Sequence, residues 1–188
     1  MVEIEGAGFV GAHVQLNQTW DESWWMVQLV KAAVVTGRHP RDRLEHGLFS
    51  LVEMLARAAM VRASLRIENN RFVQTGVYRA SDRSEKAGIS YTLGQTLAHL
   101  FVTRLLGVPF TMHVDRYWPE VDLVWREDTR RRPDLIGRGT SWIVIEAKGR
   151  TWGTQGNVLD NAIEQKSTVL TIGGEPPRPF TCFGRTLC

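Results

Sequence analysis

The chain of 188 residues is poor in cysteine, in lysine and in long apolar runs, and each shortage excludes something. Its two cysteines, Cys182 and Cys188, fit no zinc spacing and are too few for a disulfide scaffold. A reducing, cytoplasmic location follows as the simple expectation. No apolar run approaches the ~20 residues of a membrane helix, so no membrane association is expected. The opening MVEIEGAGFV is acidic and weakly apolar, unlike a signal peptide. There is no Walker-type glycine loop, no nucleophile elbow, and no pair of the five histidines at metal-ligand spacing. Lysine occurs only at positions 31, 86, 148 and 166, the other cations being arginines. A lysine inside a motif therefore carries more weight here than an arginine.

What is present is an ordinary globular composition, 43% hydrophobic and 23% charged, with a net charge of +3. That length and apolar content suit one compact body. Thr19-Trp20-Asp21-Glu22 has the form of a capping box and predicts a helix running through Val35 to Gly37, with Trp20, Trp24, Val27, Val30 and Val34 as its inward stripe. Pro40 predicts a second helix over about 41–65, with Leu44, Leu48, Leu51, Val52, Leu55 and Ala59 on its apolar face and Glu45, His46 and Glu53 solvated. Residues 66–73 predict a hairpin turning at Asn69-Asn70, and Ser81–Gly88 a loop. Thr92–Gln95 has the form of a second capping box before a helix ending at Gly107.

Strands are expected at Phe110–Tyr117, Val121–Trp125, Pro133–Ile136 and Ser141–Ala147. A helix at about 157–170 follows, with Val158, Leu159, Ala162, Ile163, Val169 and Leu170 inward, and a last strand at Phe180–Leu187. The fold class is therefore α/β (α+β): a helical N-terminal layer with a hairpin over 1–91, and a mixed sheet flanked by helices over 92–188.

Residues 131–150, RRPDLIGRGTSWIVIEAKGR, carry the chemistry. Asp134 precedes Glu146 by a strand, a turn at Gly137 and Gly139, and the apolar run Trp142–Ile145. Side chains alternate along a strand, so Glu146 and Lys148 share a face, and Asp134 lies on the neighbouring strand. Two adjacent carboxylates repel unless a cation joins them, and their oxygens suit Mg²⁺ or Mn²⁺. Arg126, Arg130, Arg131, Arg132, Arg138 and Arg150 make the neighbourhood basic, either to contact phosphates or as a solvated charge run. Glu164-Gln165-Lys166 repeats the Glu-X-Lys letters, but on an expected helix without a preceding Pro-Asp strand.

Pro133-Asp134 followed by Glu146-Ala147-Lys148 resembles the PD-(D/E)XK nuclease superfamily, over roughly residues 92–188. The resemblance implies a restriction-endonuclease-like core of helix, three strands, helix and strand, and Mg²⁺-dependent hydrolysis of DNA phosphodiesters, with Mn²⁺ able to substitute. It implies Asp134, Glu146 and the Ala147 carbonyl as metal ligands, Lys148 as the catalytic lysine, and Gln165 or Lys166 as a polar group on the following helix. The acid that members often carry on the first core helix has no counterpart within 93–106. Gln95 is the nearest polar substitute, and Glu85 lies before that helix. Restriction, phage defence or repair are roles consistent with such a nuclease. Its partners would be DNA, a second copy forming a homodimer, or a partner subunit or further domain beyond Cys188. The contrasting expectation is a non-catalytic nucleic-acid- or protein-binding module that keeps the fold, with Trp20, Trp24 and Trp25 as partner surface.

Overall fold

The apolar run expected to be a central strand is the middle of the main sheet. The computed structural model describes residues 2–7, 14–15, 18–22, 25–126, 132–150 and 168–185. Six strands lie in the order β2 (Thr19–Glu22), β1 (Val2–Ala7), β10 (Arg178–Arg185), β8 (Trp142–Arg150), β7 (Leu135–Arg138), β5 (Thr111–His113). Strands β5, β7 and β8 form an antiparallel series, and β10 runs parallel to β8. The chain is mixed α/β. No described helix is long and apolar enough to cross a membrane.

Strand β8 alternates between two cores, as period-2 geometry requires. Ile143, Ile145 and Ala147 join Leu135 in a cluster with Phe101, Leu97, Leu29 and Val61, which belong to helices. Trp142 and Val144 join Ile136 in a second cluster with Leu123, Val169 and Ile172. This second cluster is covered by a small antiparallel pair, β6 (Leu123–Trp125) with β9 (Val169–Ile172). Both faces of β8 are thus covered, which explains why its apolar run does not alternate with polar residues.

The helices are α1 (Met26–Val35), α2 (Asp42–His46), α3 (Leu48–Ser64), α4 (Gly76–Ala80), α5 (Arg83–Leu106) and α6 (Val114–Tyr117). Several expectations need correction. Thr19–Glu22 is a strand, because β1 offers it a full antiparallel partner with Ile4 opposite Trp20, and the helix starts only at Met26. There the Trp25 N–H donates to Gln28 Oε1 at 2.8 Å. The inward residues of α1 are Met26, Leu29, Ala32 and Ala33, whereas Val27 and Trp25 are exposed. Ser81–Gly88 is mostly helix. Asp82 caps α5 by accepting from the N–H groups of Ser84 and Glu85, and Glu85 accepts from Asp82 N–H in return. Thr92 therefore lies inside the helix, its hydroxyl donating to the Gly88 carbonyl. The expected strand at 110–117 is shorter, since Val114 begins α6. Of the helix expected over 157–170, residues 157–167 lie outside the described residues. Val169 and Leu170 are instead in β9, where Val169 and Ile172 fill the second core.

The segment 41–65 is two helices broken at Gly47, whose φ of +51° favours glycine. Its apolar stripe has helical spacing but faces outward. The inward side of α3 holds Ser50, Val61 and Ser64, and Glu53 there pairs with Arg38 and, at 3.0 Å, with Arg57. The hairpin of β3 (Leu65–Glu68) and β4 (Arg71–Gln74) is as expected, with Asn69 and Asn70 at φ +49° and +62°.

Gly37 ties α1 to the sheet. Its carbonyl accepts from His113 N–H at 3.2 Å, its φ is +73°, and an added Cβ would sit 2.2 Å from His113 Nε2. Gly37→Ala is expected to lose about 2 kcal/mol from left-handed strain and the displaced imidazole, read as a lower urea midpoint at unchanged slope.

Candidate metal-binding carboxylate pair

The strand register places Asp134 directly across from Glu146, one residue beyond the pair Leu135–Ile145. The two acids then lock each other's backbone. Asp134 N–H donates to Glu146 Oε2 at 3.2 Å, and Ala147 N–H donates to Asp134 Oδ2 at 2.9 Å. The Asp134 carbonyl in turn accepts from Val114 N–H at 3.2 Å. Glu146 is fully buried, and Asp134 is half-buried. Placing a buried carboxylate opposite a second one is unfavourable unless backbone donors and a counter-charge offset it. Both backbone donors are present. The turn that makes this register possible is Gly139-Thr140-Ser141, whereas Gly137 lies within β7, where a side chain would strike Val108 and the Phe110 carbonyl.

Helix α5 brings two further residues to the pair. Tyr91 hydrogen-bonds Asp134. Burial first, and then the negative charge of Asp134, push the phenol up to about 12, so it stays protonated and donates to the carboxylate. Gln95 follows one turn later, so the two side chains share a helix face. Its amide approaches the Tyr91 hydroxyl, is buried, and its Nε2 makes no hydrogen bond. Gln95 thus lies on α5 next to Tyr91, while Glu85 is committed to the cap. Tyr91 has no motif signal in the sequence. Only its i,i+4 relation to Gln95 could have drawn attention to it.

Of the remaining site residues, Lys148 occupies the expected strand, in register with Phe183, and its side chain lies outside the described residues. Gln165, Lys166 and the whole second Glu-X-Lys triplet also lie outside them. Among the arginines, Arg132 pairs with Asp115 at 3.0 Å and stacks on Trp118 and Trp125, and Arg138 stacks on Trp142. Arg130 and Arg131 lie outside the described residues. Among the described residues no group of three or more His, Cys, Asp or Glu side chains could hold a metal. A cation here would take two carboxylates, a carbonyl and water, which is acceptable to Mg²⁺ because it retains several waters.

His113 hydrogen-bonds the Asp134 backbone, and burial first holds its pKa down, whereas His99 stands apart from this pair. His99 is buried, shares a 3.1 Å hydrogen bond with the Thr111 hydroxyl, and is held down to about 4 by burial. Its folded value lies below the usual 6.5, so the unfolded chain protonates first. Stability from neutral His99 is complete above pH 6.5 and is lost as the pH falls towards 4, by on the order of 3 kcal/mol. His99→Gln is expected to flatten the pH dependence of the thermal midpoint in that window.

No protein-family model matches the chain, and no curated protein or solved structure is significantly similar to it.

Proposed function

We propose that the protein is a metal-dependent nuclease that hydrolyses DNA phosphodiesters on a restriction-endonuclease-like core. The observation that carries this reading is the reciprocal bonding of Asp134, just before β7, and Glu146, midway along β8, which fixes two carboxylates side by side. The element order supports it: helix α5, the antiparallel series β5, β7 and β8, then β10 parallel to β8. Hard, anionic oxygens held rigidly are a donor set for Mg²⁺ or Mn²⁺.

When bound, such an ion supplies positive charge against the phosphate and acidity for an attacking water. Asp134 and Glu146 would hold it, with the Ala147 carbonyl as a third ligand. Tyr91 orients Asp134 by donating to its carboxylate, and cannot act as a base because its proton is held so firmly. Lys148 is assigned to orient the water and to offset charge on the phosphate oxygens. Gln165 is assigned to the polar position of the helix that follows.

The test is hydrolysis of supercoiled plasmid and of single-stranded DNA with Mg²⁺, Mn²⁺ or EDTA. Cutting is expected only with metal, and Glu146→Ala and Lys148→Ala should each abolish it. Metal-dependent cutting that survives both substitutions would overturn the site. No cutting of any nucleic acid under any of these conditions would favour the non-catalytic binding module.

A further inference from the structure

Helix α3 is amphipathic in the wrong sense for a helix that ends at solvent. Its inward side carries Glu53 and Arg57, which pair with each other, Glu53 also with Arg38, beside the buried Ser50, Val61 and Ser64, while its outward side is apolar. Leu48, Phe49, Leu51, Val52 and Leu55 are 70%, 81%, 49%, 55% and 61% exposed, and Leu44 of the preceding α2 is 86% exposed. Arg62 is the single charged residue among the fully exposed positions of α3. Six large apolar side chains exposed on two adjoining helices are a grouped patch, not the singly scattered exposure that is ordinary for a monomer.

The patch is also graded along the helix. Large side chains fill its N-terminal half, and Ala56, Ala59 and Ala63 occupy the exposed face of its C-terminal half. We infer that this face is the interface with a second copy of the chain, with the two α3 helices packed antiparallel about a two-fold axis. In that orientation the bulky half of each helix meets the alanine half of the other. With Val52 set against the partner's Leu55, Leu48 falls on Ala59 and Leu51 on Ala56. The same register sets Arg62 at the N-terminal end of the partner's α3, the end from which α2 presents the exposed Glu45, an opposite charge met twice by symmetry. A parallel pairing would instead set bulk against bulk and Arg62 against Arg62. Two such patches bury on the order of 1,000 Å² or more, the lower bound of a specific interface. A membrane surface is the poorer fit, because interfacial helices flank their apolar face with several Lys or Arg. A nucleic acid is poorer still, since this face offers almost no cation.

This inference stands or falls independently of the nuclease reading. Sedimentation velocity of the full chain across the micromolar range is expected to show a concentration-dependent dimer. Leu51→Glu with Leu55→Glu should weaken it by at least roughly a hundredfold, while the circular dichroism spectrum and thermal midpoint show the fold retained. Leu48→Cys protein mixed with Ala59→Cys protein should give an oxidised cross-linked band that neither gives alone, above the background that wild type gives from Cys182 and Cys188. Glu45→Arg and Arg62→Glu should each weaken the dimer, and together restore it. A monomer throughout the range would overturn the inference. So would a dimer indifferent to the Leu51 and Leu55 substitutions, cross-linking of either single-cysteine variant with itself but not of the mixture, or binding of a monomer to anionic vesicles through this face.

Discussion

Glu146→Gln is expected to lower metal-dependent DNA cleavage by on the order of a thousandfold or more, with the folded structure intact. The reason lies in where the carboxylate sits. Glu146 is fully buried in the main sheet, so its negative charge is tolerated only with compensating donors or a counter-charge, which a bound cation would supply. Glutamine keeps an oxygen to accept from Asp134 N–H, but removes the charge that would attract the ion. A second readout separates lost chemistry from lost folding. In the unsubstituted protein, added Mg²⁺ should raise the thermal midpoint progressively, since an ion that binds only the folded state stabilises it by mass action. That shift should vanish in Glu146→Gln and in Asp134→Asn, while the metal-free midpoint of Glu146→Gln stays at or above that of the parent. A metal-free midpoint that falls steeply would mean that the carboxylate holds the strands together by itself, without reference to a cation.

Phe101→Ala is expected to destabilise the protein by about 4 kcal/mol, the usual loss for emptying an aromatic from a closed core. Phe101 is 1% exposed and packs in the cluster that joins α5 to Ile143 and Ile145 of β8. Chemical denaturation should show the loss as a lower midpoint at an unchanged slope. The substitution also bears on the site, because α5 carries Tyr91 and Gln95 to the carboxylates. Cleavage should therefore fall more in Phe101→Ala than in Tyr91→Phe, which removes one hydrogen bond to Asp134 and leaves the helix packed.

The carboxylate pair is legible in the sequence because its determinants are local. A short turn, a four-residue strand and period-2 alternation place Asp134 opposite Glu146 with no information from elsewhere in the chain. The hairpin at Asn69-Asn70 was legible for the same reason. Helix starts were less so. Thr19–Glu22 and Thr92–Gln95 both satisfy the capping pattern, yet one is a strand edge and the other is mid-helix. The first was decided by the non-local partner β1, and the second by a better cap, Asp82 with Glu85, ten residues upstream. The 169–170 segment fits a helical pattern in the sequence because a short apolar run has no period of its own. Its pairing with β6 makes it a strand.

By itself, then, the amino-acid sequence determined the central strand, the hairpin at Asn69-Asn70 and the residues that form the carboxylate pair, because each depends on local pattern and short turns. Tertiary structure alone decided the rest. It brought Tyr91 to Asp134 across many intervening residues, since helix α5 packs back on the sheet. It joined the N-terminal strands to β10. It also turned the apolar stripe of α3 outward. Periodicity shows that a helix has two unlike faces, but which of them meets the core depends on the neighbour. Here the ion cluster of Arg38, Glu53 and Arg57 took the inward side.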